Sequence, residues 1–160
     1  MNFTDLTIRP FAPADQIPAR RLIQEGLGEH FGVIDETCNP DIDDIAAYYI
    51  ATGHVFLVAE DAAGIAATAA LIFDGAGQGQ LVRVSVALRC RRRGLGRALV
   101  MRLVAIGRAR RLARLWMETN DDWDAAIGLY RSCGFEEFDR REGNVYMALN
   151  LSRNPAPVSA

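Results

Sequence analysis

One stretch of the chain decides the fold: Val82-Arg83-Val84-Ser85-Val86-Ala87-Leu88-Arg89-Cys90-Arg91-Arg92-Arg93-Gly94-Leu95-Gly96-Arg97-Ala98-Leu99. Its first half alternates as a strand does, and its second half begins a helix in which Leu95, Leu99, Leu103 and Ile106 share one face. The turn between them is rich in arginine and glycine. Because the first amides of a helix have no partner within it, this turn leaves several N–H groups free. These amides, the helix dipole and the arginines together predict a phosphate-binding site.

Three better-known kinds of binding site fit this turn less well. A Walker A loop needs a lysine, and the chain contains none. A dinucleotide-binding fingerprint needs a third glycine, but Ala98 and Leu99 interrupt that pattern. Nucleic-acid binding would suit the arginines, yet no aromatic residues alternate with them and the net charge of the chain is -2. We therefore expect no nucleic-acid partner.

Working outward from the turn, the patterns predict a mixed α/β fold with the element order β-α-α-β-β-β-α-β-α-β-β and helices on both faces of the sheet. Before the turn, they predict a strand at residues 6–9, helices at 13–27 and 40–51 around a loop at 28–37, a hairpin at 54–60 and 64–73, and a strand at 80–87. After it, they predict a helix at 94–111, a strand at 114–119, a helix at 124–133 and a strand pair at 135–140 and 145–149. Three successive strands without crossovers exclude a doubly wound dinucleotide fold.

The composition is that of one soluble globular domain. With 160 residues, 50% of them hydrophobic, we expect a single domain over residues 1–151 and a frayed tail over residues 152–160. No apolar run approaches the roughly 18 residues of a membrane span and no secretory signal is visible, which predicts a cytoplasmic protein without membrane contact. Three widely spaced cysteines and two isolated histidines predict reduced thiols and no metal site.

The small net charge conceals an asymmetry between the two halves of the chain. Residues 1–80 carry a charge of -9, whereas residues 81–160 carry +7. Ten arginines fall between Arg89 and Arg114. This clustering indicates a concentrated anion site around the turn.

A second block supports a resemblance to a known family. It consists of Leu115-Trp116-Met117-Glu118-Thr119-Asn120 and the helix pattern Ala126-x-x-x-Tyr130-x-x-x-Gly134-Phe135. With Arg91-x-x-Gly94-x-Gly96 before it, the chain resembles the GNAT superfamily of acyl-CoA-dependent N-acyltransferases. The likeness extends over nearly the whole chain, up to about Leu151.

The resemblance implies a mostly antiparallel central sheet in which two strands, ending near Val86 and Thr119, splay apart at an acetyl-CoA site. The pantetheine arm would pair with the strand backbone at residues 84–88, and the pyrophosphate would take amides from residues 92–98. An amide near Val86 would stabilise the oxyanion. The implied cofactor-binding residues are Val84, Ser85, Val86, Arg91, Arg92, Arg93, Gly94, Leu95, Gly96, Arg97, Ala98 and Asn120. Asn120 is equally suited to cap the following helix.

The same resemblance implies one catalytic residue, and the strand that ends near Thr119 offers a second candidate. Tyr130 would lie beside the sulfur as the general acid for the departing thiolate. Glu118 is a candidate base that would act through water, although it could equally pair with an arginine. Related sequences often carry glutamate where Gln80 stands, which weakens the case for a fixed base. Cys133 is expected only to pack, since no histidine lies near it in sequence.

The resemblance also implies that the acceptor binds near the first two helices and their connecting loop, whose acids would attract a cation. The candidate acceptor-binding residues are Glu29, Asp35, Glu36 and Trp123, with Asp41, Asp43 and Asp44 also in this region. Helix capping and a solvated face account for some of these acids equally well, and Trp123 is as well suited to a core position.

We therefore predict an enzyme that moves an acetyl group from acetyl-CoA to a primary amine of a small molecule, by direct attack through a tetrahedral intermediate and without a metal. Acetylation of a peptide or protein amine is one alternative. A non-catalytic acyl-CoA-binding sensor is the other. The resemblance is also compatible with a homodimer.

Overall fold

The computed structural model describes residues 5–32 and 39–152, and these form one seven-stranded sheet with helices on both faces. The strands are β1 Thr7–Pro10, β2 Val55–Asp61, β3 Gly64–Phe73, β4 Gln78–Val86, β5 Arg114–Asn120, β6 Glu136–Arg141 and β7 Asn144–Asn150. The helices are α1 Gln16–Phe31, α2 Leu95–Ala109 and α3 Asp124–Ser132. None of the helices described is long and apolar enough to cross a membrane.

The sheet has the order β1-β2-β3-β4-β5-β7-β6, and every neighbouring pair is antiparallel except β4 and β5. This confirms the predicted mixed, mostly antiparallel sheet, including the hairpin of β2 and β3. Two buried cores lie on its opposite faces. The α2-side core contains Leu99, Leu103, Leu115 and Met117, together with residues of α3. The α1-side core contains residues of α1, β2, β3 and the segment before β2: Ala19, Ile23, Ile42, Ile45, Tyr49, Phe56, Val58 and Ala70.

Two predictions for the region between β1 and β2 are wrong in part. The loop predicted from residue 28 begins later, because α1 continues through Gly28 and ends before Gly32, whose φ of 80° is left-handed. The helix predicted at residues 40–51 is instead a 3-10 turn, Pro40–Ile42, and a π-helix, Ala46–Ile50. In the π-helix, the amide of Ala51 donates to the carbonyl of Ala46, five residues earlier, so the helical turn is wider than in an α-helix. The sequence pattern of this segment does not predict this wider turn. Residues 33–38 and 153–160, including most of the predicted tail, lie outside the described part.

A buried ion pair ties β1 to the start of α1. The guanidinium of Arg9 donates to both carboxylate oxygens of Asp15 at 2.7 and 2.9 Å, and the amide of Ala12 donates to the same group at 2.8 Å. Only 6% of the Asp15 side chain is exposed. The hydrogen bond from Arg9 holds the pKa of this carboxyl below its usual range, although burial opposes that shift.

Replacing this carboxylate should make stability depend on pH in a defined way. We expect Asp15→Asn to lower the free energy of unfolding at pH 7 by about 2–3 kcal/mol, because Arg9 loses its main buried partner and keeps Glu60 and the carbonyl of Pro10. A depressed folded pKa stabilises the protein above the unfolded value of about 3.9, and this contribution disappears as the pH falls through the folded pKa. Urea denaturation at pH 7 and pH 3 checks this. An equal difference at both pH values would contradict it.

Candidate active site

A cleft opens where β4 and β5 stop pairing and diverge. The two strands pair only at Gln78↔Arg114, Gly79↔Leu115 and Gln80↔Trp116, and a cavity of about 830 Å³ lies beyond this point. The predicted splayed strand pair is therefore present. On its other edge β4 continues to pair with β3 as far as Val86. The edge of β4 that faces the cleft consequently presents backbone groups without a strand partner among the described residues.

The resemblance implies that the pantetheine arm pairs with residues 84–88, and β4 supplies residues 84–86 of that stretch. On the β3 edge the amide of Ala87 still donates to the carbonyl of Ala66 at 2.8 Å, and a 3-10 turn begins at Leu88. The end of β4 lines the cavity with Val84, Ser85 and Val86. Gly96, in the first turn of α2, also lines it.

The turn from β4 into α2 directs free amides towards the cavity. Gly94 precedes the helix with a left-handed φ of 80°, and Arg92 has a φ of 61°. Among the described residues, no backbone carbonyl accepts a hydrogen bond from the amides of Leu95, Gly96 or Arg97. The amide of Ala98 is different because it donates to the carbonyl of Gly94 at 3.0 Å, which removes Ala98 from the predicted anion-binding set.

Close packing explains the second glycine of the turn. A β-carbon on Gly96 would lie 3.4 Å from side-chain atoms of both Leu129 and Val86. Gly96 thus lets the start of α2 approach α3 and the end of β4, so that the free amides lie at the mouth of the cleft. Leu95, 2% exposed, anchors the same turn in the α2-side core.

The arginines of the turn divide into two groups. Arg92 and Arg97 are exposed and line the cavity, and Arg93 is exposed beside them. Arg91 also lines the cavity, but its Nε donates to the carbonyl of Val86 at 3.1 Å and its Nη1 to Glu29 Oε1 at 2.6 Å. Arg91 therefore braces the turn against β4 and α1, while the other three leave their charge available to an anion.

The C-terminal end of α1 contacts both sides of the cleft. Glu29 pairs with Arg91, which holds the pKa of that carboxyl below its usual range. Glu29, a predicted acceptor-binding residue, is therefore already paired with the turn before α2. His30 stacks on Trp123 with ring centroids 4.0 Å apart, and its Nε2 lies 3.5 Å from Asp122 Oδ1. Trp123 lines the cavity and is held there by this stack.

Tyr130 lies on α3 at the wall of the cavity and is only 6% exposed. Its ring meets Phe135 edge-to-face at 5.6 Å. In the described part of the chain its hydroxyl has no hydrogen-bond partner, and no fully buried polar side-chain atom is left unpaired, so the hydroxyl reaches the cavity. Burial raises the pKa of this phenol. Tyr130 is therefore a neutral O–H donor at neutral pH.

Glu118 is an exposed carboxylate that lines the cavity from β5. No cation lies within ion-pair distance of it in the segments that the structure covers, so the alternative of an arginine partner is not observed. Gln80 lines the cavity at the point where the strands separate. The cleft thus holds a neutral proton donor, Tyr130, and an unpaired carboxylate.

Two further candidates lie outside this arrangement. Asn120 ends β5 opposite Asn144 and does not line the cavity. Its carbonyl accepts the amide of Trp123, but its side chain makes no capping bond to α3. Cys133 packs in the α2-side core, where burial raises the pKa of its thiol. Asp35 and Glu36 lie outside the described residues.

The remaining acids of the acceptor region are already engaged. Asp43 pairs with Arg20 at 3.0 Å, and Asp44 caps the amide of Ala47. Asp41 is buried and bonded to Arg83 and Tyr49. Arg83 was not among the predicted site residues, although a lone charged residue within the apolar run of β4 was a visible signal of a special position.

Comparisons with known proteins agree with this geometry. Residues 19–135 match the family described as Acetyltransferase (GNAT) family. A ribosomal protein bS18-alanine N-acetyltransferase of Escherichia coli strain K12 is 38% identical over 82 residues, 45% of this chain and 55% of the relative. The chain thus spans about half the length of this curated relative.

Solved structures share the fold at low sequence identity. A GNAT-family acetyltransferase of Staphylococcus aureus superposes with a TM-score of 0.84 at 20% identity, covering 92% of this chain and 99% of that one. A spermidine N-acetyltransferase of Vibrio cholerae, in complex with CoA and spermine, gives a TM-score of 0.74 at 18% identity, with 93% and 97% coverage. The splayed strands, the glycine turn and the family match together lead to one conclusion: the chain belongs to the GNAT acetyltransferase family.

Proposed function

We propose that this protein transfers an acetyl group from acetyl-CoA to a primary amine by direct attack through a tetrahedral intermediate. One feature of the cleft supports this most strongly. The free edge of β4 leads directly into the unpaired amides at the start of α2, and Tyr130 and Glu118 line the same cavity. A ligand that is extended, anionic at one end and reactive at the other fits such a cleft.

The residues of the turn fit the pyrophosphate of acetyl-CoA. The amides of Leu95, Gly96 and Arg97 supply donors at the positive end of the α2 dipole, and the exposed guanidinium of Arg92 adds full charge. The pantetheine arm can take hydrogen bonds from the free edge of β4, as an added strand would. An amide of that edge near Val86 is suited to stabilise the oxyanion.

Tyr130 is suited to assist the departure of CoA. The attacking amine forms a C–N bond, and collapse of the intermediate breaks the C–S bond and leaves a thiolate. The phenol of Tyr130 can donate a hydrogen bond or its proton to that sulfur. Because burial raises the pKa of this phenol well above that of the thiol, about 8.5, Tyr130 is suited mainly to stabilise the thiolate by donating a hydrogen bond. Any proton that it passes to the sulfur is replaced by the proton that the amine nitrogen releases as the amide forms.

Glu118 is suited to prepare the amine, because it is a carboxylate on the β5 side of the cleft that pairs with no cation among the described residues. An ammonium group cannot attack the thioester, so one proton has to leave before the C–N bond forms. Glu118 can accept it directly or through water.

The variant Glu118→Gln tests this assignment. We expect kcat/KM at pH 7 to fall by about 10- to 100-fold, since the amide cannot accept a proton. The deficit should shrink as the pH rises towards the pKa of the amine, where the free base is present without help. A pH profile of kcat/KM for both proteins checks this. A deficit that stays constant across the profile would exclude a role in deprotonation.

The acceptor is proposed to be a small molecule, with a protein N-terminus as the second candidate. The similarity to a ribosomal protein bS18-alanine N-acetyltransferase favours the second candidate, but it covers only 45% of this chain. The glutamine at position 80 is the feature that favours a non-catalytic acyl-CoA sensor.

Calorimetric titration with acetyl-CoA, followed by a free-thiol assay over a panel of amines and N-terminal peptides, separates these functions. We expect one-to-one binding and thiol release that depends on an amine. Thiol release only with peptides would favour the second candidate. Binding without turnover on any amine would favour the sensor, and a failure to bind acetyl-CoA would refute the proposal.

A further inference from the structure

Arg83 occupies a backbone position that aims it into the acceptor side of the cleft. In the pairing of β3 with β4, Ala70 faces Val82 and Thr68 faces Ser85, so that β4 carries one extra residue. Arg83 has a φ of 56°, a left-handed conformation that is uncommon for residues other than glycine. This is the geometry of a β-bulge, which redirects a side chain next to the site where it is used.

The bulge changes the face to which Arg83 belongs. In a regular strand Val82 and Val84 would share one face and Arg83 would point to the other, but Val82 packs against the α1-side core and Val84 against the α2-side core. Arg83 reaches Asp41 on the α1 side. The fully buried Thr68 stabilises this conformation, because its hydroxyl donates to the carbonyl of Arg83 at 2.8 Å.

The guanidinium is fixed on two of its three nitrogens. Nε donates to Asp41 Oδ2 at 2.9 Å, and Nη2 donates to Asp41 Oδ1 at 2.6 Å and to Asn39 Oδ1 at 3.0 Å. Tyr49 donates its hydroxyl to the same carboxylate at 2.5 Å. These bonds outweigh burial and keep the pKa of Asp41 below its usual range. The side chain of Arg83 is held rigidly at 19% exposure.

The third nitrogen, Nη1, is left for a ligand. Within residues 5–32 and 39–152, no hydrogen-bond acceptor lies in reach of it. Arg83 lines the cavity, and no fully buried polar side-chain atom in those residues lacks a partner, so Nη1 is accessible from the cleft.

Glu118 faces the cleft from the opposite strand and on the same side of the sheet. Leu115 and Met117 point into the α2-side core, and side chains alternate along a strand, so Glu118 points to the α1 side, as Arg83 does. The cleft therefore presents a carboxylate on β5 and a guanidinium N–H pair on β4. Asp41 already balances much of the charge of Arg83, which suits a single carboxylate better than a doubly charged phosphate.

We propose that Arg83 is a specificity-determining residue that binds a carboxylate of the acceptor, so that the substrate class is amines that carry a carboxylate close to the reacting nitrogen. This inference rests on the proposed acetyl transfer. Glu118 binds the ammonium group of the acceptor, and Arg83 Nη1 donates a hydrogen bond to its carboxylate. These two contacts orient the amine across the cleft. Free amino acids and peptides with an acidic side chain near the N-terminus share this chemistry.

Matched substrate pairs test the inference. The first arm compares free amino acids with their C-terminal amides, and the second compares N-terminal peptide amides that have glutamate or glutamine at the second position. In the arm that matches the natural acceptor, whichever of the two it is, we expect kcat/KM to be about 10- to 100-fold higher for the substrate that carries the carboxylate. This is the range for a hydrogen bond to a charged group. Arg83→Gln should reduce that ratio to about one by lowering only the carboxylate member, with acetyl-CoA affinity unchanged.

Two additional variants keep the result interpretable. Arg83→Gln leaves Asp41 buried without its cation, so the double variant Asp41→Asn/Arg83→Gln restores the balance and should show the same loss of preference. Arg20→Gln removes a partly exposed arginine of α1 that does not line the cavity, and it should keep the preference. Amine turnover with equal rates for acid and amide, or a preference that survives Arg83→Gln, would overturn this inference alone. Absence of turnover with every amine would instead overturn the proposed function on which it rests.

Discussion

Gly94→Glu is expected to weaken acetyl-CoA binding by about 100-fold or more. Several charge-assisted hydrogen bonds from the start of α2 would be lost, and each contributes about 1.5–3 kcal/mol. A β-carbon at this position meets no atom within 4 Å, so the new side chain would project into the mouth of the cleft and place a negative charge beside the pyrophosphate. Calorimetric titration with acetyl-CoA measures the effect.

The left-handed conformation of Gly94 calls for a matched control. Gly53 also has a positive φ, 84°, with no atom within 4 Å of a β-carbon, and it does not line the cavity. Gly53→Glu therefore introduces the same charge and similar backbone strain at another place. It should keep the acetyl-CoA affinity of the wild type. Unchanged affinity in Gly94→Glu, or an equal loss in both variants, would refute the assignment of the turn.

Tyr130→Phe is expected to lower kcat by about 10- to 1,000-fold, within the range of acid catalysis, while acetyl-CoA affinity changes little. The phenylalanine ring keeps the contact with Phe135 and removes only the hydroxyl that reaches the cavity. Single-turnover thiol release and calorimetric titration separate the two quantities.

Tyr146→Phe is the control for this substitution, since Tyr146 lies on β7, its ring packs against Arg141 and it does not line the cavity. It should keep the wild-type kcat. If cofactor binding collapsed in Tyr130→Phe, the residue would be structural, and a wild-type kcat would remove it from the mechanism.

The parts of the site that the sequence predicts well depend on local signals. Gly94 and Gly96 before the periodic leucines of α2 mark the start of a helix, and a helix start leaves free amides whatever surrounds it. The order of strands and helices follows from their different periods. The position of Tyr130 follows from the spacing of the second family motif.

The parts that sequence patterns miss depend on contacts between distant segments. The bulge at Arg83 forms because Thr68 and Asp41 supply partners from other elements, and nothing in the alternation of β4 announces it. Glu29 looks like a free acid until Arg91, 62 positions away, is brought to it. The stack of His30 on Trp123 joins α1 to the turn before α3 in the same way. Pairing of charges is a property of the folded chain, so composition alone overstates the acidity of the acceptor side.

A crystal structure of the protein with acetyl-CoA tests the proposed cofactor site most directly. We expect the pantetheine arm along the edge of β4 that faces β5, the pyrophosphate on the amides of Leu95, Gly96 and Arg97, and the sulfur beside the hydroxyl of Tyr130. Acetyl-CoA bound elsewhere on the protein, or bound in the cleft with its thioester away from Tyr130, would contradict this assignment.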